Sequence, residues 1–529
     1  MNAAPAPARS AAPAPADPTT GWAHPLLATA AARPHHPAVE LVGEADAAVS
    51  WAQLRDRVAT LAAAWTTWLD ERGHVAGGHR AGGHDTGEGD TSSATRVALP
   101  MPRTLDAIAH LHALIWAGVE VAPLAPDATD AERARDLSAL GTDRDVLLAD
   151  AAILAAVRDA ARDATPAPAA DWSWHRPLVT VLTSGTTGAP RPVAVLAGQL
   201  LCSCLGSVSR LGHDLNDRWL CPLPLHHVGG LSVLLRGCIL GTTARIMPRF
   251  DAGVAARELD RTPHDRAALD RAPPTTLVSL VPAMLQAILD HREQPDAPFP
   301  GALRAILLGG AAAPEALLRR CEAISAPVAL TWGMSETASQ VATGLPGELG
   351  LAAGLPLMPL MHADVHAGAL RLRGPLAGAG ELVTGDTGEV LGQRVRVTGR
   401  ADDVLITGGE NLHPGEVERV LERLPGVRAA LVVGVPDERW GQRPAAVLAW
   451  DPAHGTPPTP QALRDLCART RPRWKCPDRG IAQDDLPRTP MGKPDRAAAR
   501  ELLTRPPQTT TAAHASVADR TEPPTTDEP

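Results

Sequence analysis

Apolar and polar positions follow two periods along the chain. In "SWAQLRDRVATLAAAWTTWL" (Ser50 to Leu69) apolar residues return every third or fourth position behind a serine, which predicts an amphipathic helix with a hydroxyl cap. "LVTVLTSG", "TTLVSLVP", "LRAILLGG" and "AALVVGVP" are short apolar runs closed by glycine or proline, as expected of strands buried on both faces. Alternation of the two implies an α/β fold with largely buried sheets. Near Gly399, "VRVTGRADDVLITGGENLHPGEVERVLERLPGV" passes from a strand through a charged turn into a new strand, a Gly-Gly turn and an amphipathic helix, which marks a boundary before a compact second domain.

Three stretches lack either period. Residues 1–20 are rich in alanine and proline without a secretory pattern and are expected to be a disordered leader. Residues 71–95 are rich in glycine and histidine and read as a solvated insertion; nothing around His74, His79 and His84 would hold metal ligands rigid. The polar, proline-rich tail over 505–529 is expected to be disordered.

Composition narrows the partners. A chain of 529 residues should hold more than one domain, and no run of eighteen apolar residues argues for a membrane span. A net charge of -9 with scattered arginines gives no basic field for nucleic acid. Seven cysteines without a C-x-x-C pair suit a reducing compartment, so a cytoplasmic enzyme acting on small molecules is expected. A homo-oligomer is left open. Only two lysines, Lys475 and Lys493, survive against many arginines, which makes each of them worth explaining.

Candidate chemistry begins at "VLTSGTTGAPRPVAV". Gly185 and Gly188 permit backbone conformations that turn amides inward, and Thr183, Ser184, Thr186 and Thr187 add hydroxyls, a nest suited to phosphate oxygens. It is neither a Walker loop nor a G-x-G-x-x-G turn, and alone it reads equally as an ordinary turn after a strand. In "LTWGMSETASQ", Glu336 offers one carboxylate, as a Mg²⁺ held mainly by substrate phosphates needs; it also suits a helix start. Asp386 in "LVTGDTGEV" is placed to accept from ribose hydroxyls or to form a turn, and Arg400 is either a site cation or a surface charge. Phosphate, metal and sugar contacts in one ordered series favour nucleotide binding.

"TSGTTGAPR", "PLPLHHVGGL", "GMSETAS", "VTGD", "GRADDVLITGGEN" and "PRTPMGKPDR", in this order, resemble the core motifs of the adenylate-forming acyl-CoA synthetase superfamily, from about Gly21 to Leu503. Within it, "PLPLHHVGGLSVLLRG", "SLVPAMLQAILD", "LLGGAAAPEALL", "SETASQVAT" and "GVPDERWGQRPAAVL" are most similar to the 2-succinylbenzoate-CoA ligases of menaquinone biosynthesis. The resemblance implies a large multi-layered N-terminal AMP-binding domain (21–398), a hinge at 399–402 turning about Asp402, and a small mobile C-terminal lid (403–504). It also implies a two-step reaction in which a carboxylic acid is adenylated by ATP with Mg²⁺ and its acyl group passes to coenzyme A. A ligase for another aryl or fatty acid, or an enzyme loading a carrier protein, are the alternatives.

The same resemblance assigns roles. Thr183 to Gly188 would wrap the phosphates with Arg191, where the family usually has lysine. Gly309, Gly310 and Ala311 would flank the adenine, and Trp332, Gly333, Met334, Ser335 and Glu336 would cradle nucleotide and metal. Trp332 stands where tyrosine is common, so a ring is kept and a hydroxyl lost, and Ser335 where threonine is frequent. Asp386 and Arg400 would hold the ribose, Lys493 would bridge substrate carboxylate and α-phosphate, and Gly408 and Gly409 would approach the pantetheine arm after rotation. His227 would position the acyl group, with His226 beside it. A second carboxylate on the substrate would need a donor, for which Ser232, Arg236, Ser339 and Gln340 are candidates.

Overall fold

The computed structural model describes residues 21–43, 47–74, 95–142, 145–184, 190–262, 273–350, 353–378, 380–407, 410–489 and 492–504. The leader, most of the insertion including His79 and His84, and the tail lie outside the described residues, as do Gly185, Thr186, Thr187, Gly188, Gly408 and Gly409. His74 is described and stacks on Trp68, ring centroids 6.5 Å apart.

The large domain rests on two sheets whose inner strands are parallel. An eight-stranded sheet has at its centre Arg218–Cys221, Thr243–Ile246, Leu277–Leu280, Ala305–Leu308 and Val328–Met334, with antiparallel pairs only at its two ends. Two of the apolar runs read from the sequence are the inner strands Leu277–Leu280 and Ala305–Leu308, buried at every residue. A five-stranded sheet carries Pro177–Ser184, which ends where the glycine nest begins, beside its antiparallel partner Pro190–Leu196. Helix Trp51–Asp70 starts at Ser50 with a reciprocal cap: Ser50 Oγ accepts from Gln53 N at 3.3 Å, and Gln53 Oε1 accepts from Ser50 N at 2.9 Å.

Two three-stranded sheets close this domain, one of them pairing Asp386–Leu391 with Arg394–Arg400 so that Asp386 lies opposite Arg400. A short turn over Ala401–Asp403 follows, and the lid starts at Leu405–Thr407. The lid is a five-stranded sheet centred on Val427–Asp437 and Gly441–Trp450, with Pro414–Leu421 and Pro460–Ala468 on one face and Arg496–Thr504 on the other. Every buried apolar cluster among the described residues lies wholly before residue 400 or wholly after residue 404. The two bodies therefore share polar contacts and no hydrophobic core, the condition under which one can turn on the other.

Candidate active site

Lys493 leaves the lid on a tight loop. Gly492 takes φ +74°, Thr489 N donates to Lys493 O at 2.8 Å and Arg488 Nη1 donates to Gly492 O at 3.1 Å. The loop abuts the large domain: a methyl group on Gly492 would come within 3.3 Å of Val281 Cγ2, and one on Gly310 would lie 3.9 Å from Lys493 Cε. Gly310 itself has φ +80°, and Gly309 is closed against Thr331, whose Cγ2 would be 2.6 Å from an added Cβ. Gly310 thus lies beside the aliphatic part of Lys493. The side chain keeps contact with solvent, yet protein crowds it on several sides. That desolvation lowers its pKa, the Arg400 charge adds to the shift, and Asp386 opposes it.

The Asp386 carboxylate is held from two directions. Trp332 Nε1 donates to Oδ2 at 2.8 Å and Arg400 Nη1 donates to Oδ1 at 3.2 Å. Arg400 Nη2 also donates to Asp402 Oδ2 at 3.1 Å, so the cation ties the strand end to the turn that leads into the lid. Gly385 leaves room for the guanidinium: a Cβ there would lie 2.5 Å from Arg400 Nη2, so the arginine head would have to move. The tyrosine-to-tryptophan exchange therefore leaves a donor in place, which the sequence comparison of hydroxyl against ring did not foresee.

Glu336 stands in the short turn Ser335–Thr337 after the strand Val328–Met334. Gly333 is fixed in that strand by close approach: an added Cβ would collide with Ser339 O at 1.6 Å. Gln199 Nε2 donates to Glu336 O at 2.9 Å and to Leu376 O at 2.9 Å, which anchors the turn. The Arg191 guanidinium forms an ion pair with the Glu336 carboxylate, joining two of the residues expected at the site. Among the described residues no cluster of three His, Cys, Asp or Glu side chains could hold a metal unaided, so Glu336 would serve only with ligands brought by a substrate.

His227 precedes helix Val228–Leu240, whose first turn closes on Pro224; a Cβ on Gly230 would stand 2.3 Å from Pro224 O. The His226 and His227 rings lie 4.1 Å apart. Burial, then His226 and Lys493, lower the His227 pKa to about 3, so the imidazole is neutral. His226 has a buried Nδ1 without a partner among the described residues.

The four candidates for a second carboxylate differ sharply. Ser232 Oγ is engaged by Gly229 O at 3.1 Å, Gln340 Nε2 donates to Thr343 Oγ1 at 3.0 Å, and Ser339 sits at φ +103° in the bulge after the turn. Arg236 is 1% exposed, its guanidinium lies 4.7 Å from the centre of the Trp219 ring and beside the Cys204 thiol, and none of its three side-chain nitrogens has an oxygen or nitrogen partner among the described residues.

Comparison with known proteins decides the family. The AMP-binding enzyme model matches residues 88–392, and the AMP-binding enzyme C-terminal domain matches residues 416–493. The chain belongs to the AMP-binding enzymes. The 2-succinylbenzoate--CoA ligase of Geobacillus kaustophilus is 35% identical over 356 residues, covering 62% of this chain and 69% of that protein. The enzyme of the same name from Bacillus cereus is 29% identical over 444 residues, covering 77% and 88%. The o-succinylbenzoate CoA synthetase of Bacillus subtilis, solved in complex with the acyl-adenylate intermediate OSB-AMP, superposes with a TM-score of 0.72 at 25% identity, covering 91% of this chain and 98% of that one. As an AMP-binding enzyme the chain has the large N-terminal domain and smaller C-terminal domain expected from its motifs. No helix among the described residues is long and apolar enough to cross a membrane, and all seven cysteines are free thiols.

Proposed function

We propose that this AMP-binding enzyme is an ATP-dependent ligase that adenylates 2-succinylbenzoate and transfers its acyl group to coenzyme A, in the cytoplasm and as a step of menaquinone biosynthesis. The observation that carries the substrate is Arg236. An arginine fully removed from water, with an indole ring and a thiol but no carboxylate beside it among the described residues, leaves a buried charge only partly compensated, where a missing partner costs up to about 3–5 kcal/mol. Its pKa is lowered by burial, with only the Cys204 thiol opposing. A dicarboxylic substrate would offset that cost with its ring carboxylate while presenting the succinyl carboxylate to the nucleotide. A fatty or simple aryl acid would leave the guanidinium unpaired.

The chemistry follows from what a carboxylate lacks. It is a poor acyl donor until one of its oxygens becomes part of a leaving group. In the first half-reaction a carboxylate oxygen bonds to the α-phosphorus of ATP as the bond to pyrophosphate breaks. Negative charge gathers on the phosphorus oxygens, and a fixed cation aimed there supplies much of the rate. Lys493, beside Gly310 and within the field of Arg400 and Asp386, would be that cation. Asp386, held by Trp332 and Arg400, takes the ribose hydroxyls. Glu336 would hold Mg²⁺ together with substrate phosphates, and the ion would neutralise phosphate charge; Arg191 would pass from Glu336 to the phosphates themselves. His227, neutral, orients the acyl group without carrying charge into the site. In the second half-reaction the sulfur of coenzyme A attacks the acyl carbon, the bond to AMP breaks, and the thiol proton is lost. This step follows rotation of the lid about 399–402, which withdraws Lys493.

Pyrophosphate release measured over a panel of carboxylic acids, with and without coenzyme A, tests the reading. Release and thioester formation with 2-succinylbenzoate, and little with its analogue lacking the ring carboxylate, is the expected result. Release without thioester would favour a carrier-loading enzyme, and preference for a monocarboxylic acid would reject the substrate.

A further inference from the structure

The lid touches the large domain at a second place, away from Lys493. Helix Glu315–Ala323 begins five residues beyond Gly310, and its capping position is Pro314, which supplies no side-chain acceptor to the first turn. On the lid, helix Pro414–Leu421 runs out at Glu422, followed by Arg423. Arg423 Nε donates to Glu315 Oε2 at 3.1 Å. The Glu422 carboxyl accepts from Ala430 N at 3.4 Å within the lid. Arg423 thus meets the first side chain of a helix whose start has no side-chain cap.

The lid therefore meets the segment from Gly309 to Glu315 near both ends: Lys493 lies beside Gly310, and Arg423 pairs with Glu315. Because the lid sheet carries both contact sets as one packed body, they form together and part together. We propose that Arg423, acting on Glu315, is a positioning residue that latches the lid in its Lys493-inward orientation and so favours acyl-adenylate formation over thioester formation. This rests on the ligase reading above. The Arg423–Glu315 pair is largely exposed, 66% and 37% at the two side chains, so it contributes little to folding. A weak pair suits a latch that must open once in each turnover. Two lid orientations close in energy are shifted measurably by a contact present in only one of them.

Charge reversal in the full-length enzyme tests the latch. Arg423→Glu, Glu315→Arg and the double variant are compared in two assays: acid-dependent exchange of pyrophosphate into ATP, and thioester formation from supplied acyl-adenylate and coenzyme A. Each single reversal is expected to slow the first by roughly three- to tenfold and to leave the second unchanged or faster, because an exposed pair is weak and its reversal repels. The double reversal is expected to restore exchange. Unchanged exchange in the singles, equal loss in both assays, or failure of the double variant to recover would overturn the latch. Lys493→Ala run alongside separates the two levels. If it spares exchange, the role given to the lysine fails; if it abolishes exchange while the reversals do nothing, only the latch fails.

Discussion

Trp332 donates its indole N–H to Asp386 at 2.8 Å, fixing the carboxylate that Arg400 holds from the other side at 3.2 Å. The ring that would lie against the adenine is thereby coupled to the residue that would bind the ribose. A hydrogen bond to a charged acceptor contributes about 1.5–3 kcal/mol. Trp332→Phe keeps an aromatic face and deletes the donor. It is expected to raise KM for ATP by roughly tenfold or more and to weaken the preference for ATP over 2′-deoxy-ATP, with kcat changed less. An unaltered preference between the two nucleotides would show that the indole does not position Asp386.

Arg236 offers the sharpest test of substrate. Arg236→Met fills a similar volume and removes a buried charge with no carboxylate partner among the described residues, so the fold should tolerate it or gain stability. The expected outcome is a loss of about a hundredfold in kcat/KM for 2-succinylbenzoate, the scale of one buried charged hydrogen-bonding partner, with KM for ATP unchanged. Equal effects on the analogue without the ring carboxylate would place the arginine outside the acyl pocket.

Acid stability should report on His24. Its ring is enclosed by Trp116 and Trp172, its Nδ1 accepts from Leu26 N at 3.2 Å, and burial first, with His112 and Arg176 adding, lowers its pKa from 6.5 to about 3. The folded state keeps the ring neutral while the unfolded chain protonates it below 6.5. Stability is thus lost as pH falls from 6.5 toward 3, with a slope approaching about 1.4 kcal/mol per pH unit for one proton. His24→Asn retains a capping acceptor and cannot titrate. Its Tm should fall less steeply between pH 7 and 5 than that of the parent, and parallel curves would exclude His24 as the source.

The elements and the order of the site motifs were legible because their causes are local. A serine before a 3.6-residue period makes the capped helix at Trp51, and a fully apolar run makes an inner strand such as Ala305–Leu308. Lys493 was conspicuous because arginine has replaced lysine almost everywhere else. What could not be read are pairings across long separations. Arg191 with Glu336, Trp332 with Asp386 and Arg423 with Glu315 join residues 145, 54 and 108 positions apart, and nothing in the spacing of either partner encodes the other. The unpaired state of Arg236 was equally invisible. It depends on which neighbours Trp219 and Cys204 supply, and both lie on other elements.

The most direct test of the whole account is Lys493→Ala followed through the two half-reactions separately. Pyrophosphate exchange with ATP and 2-succinylbenzoate should fall by at least about a thousandfold, the scale expected for removing a charge that stabilises the transition state, while thioester formation from preformed acyl-adenylate should change by no more than a few-fold. Loss of equal size in both half-reactions, or retention of exchange, would contradict a lid that carries this ammonium group to the α-phosphate.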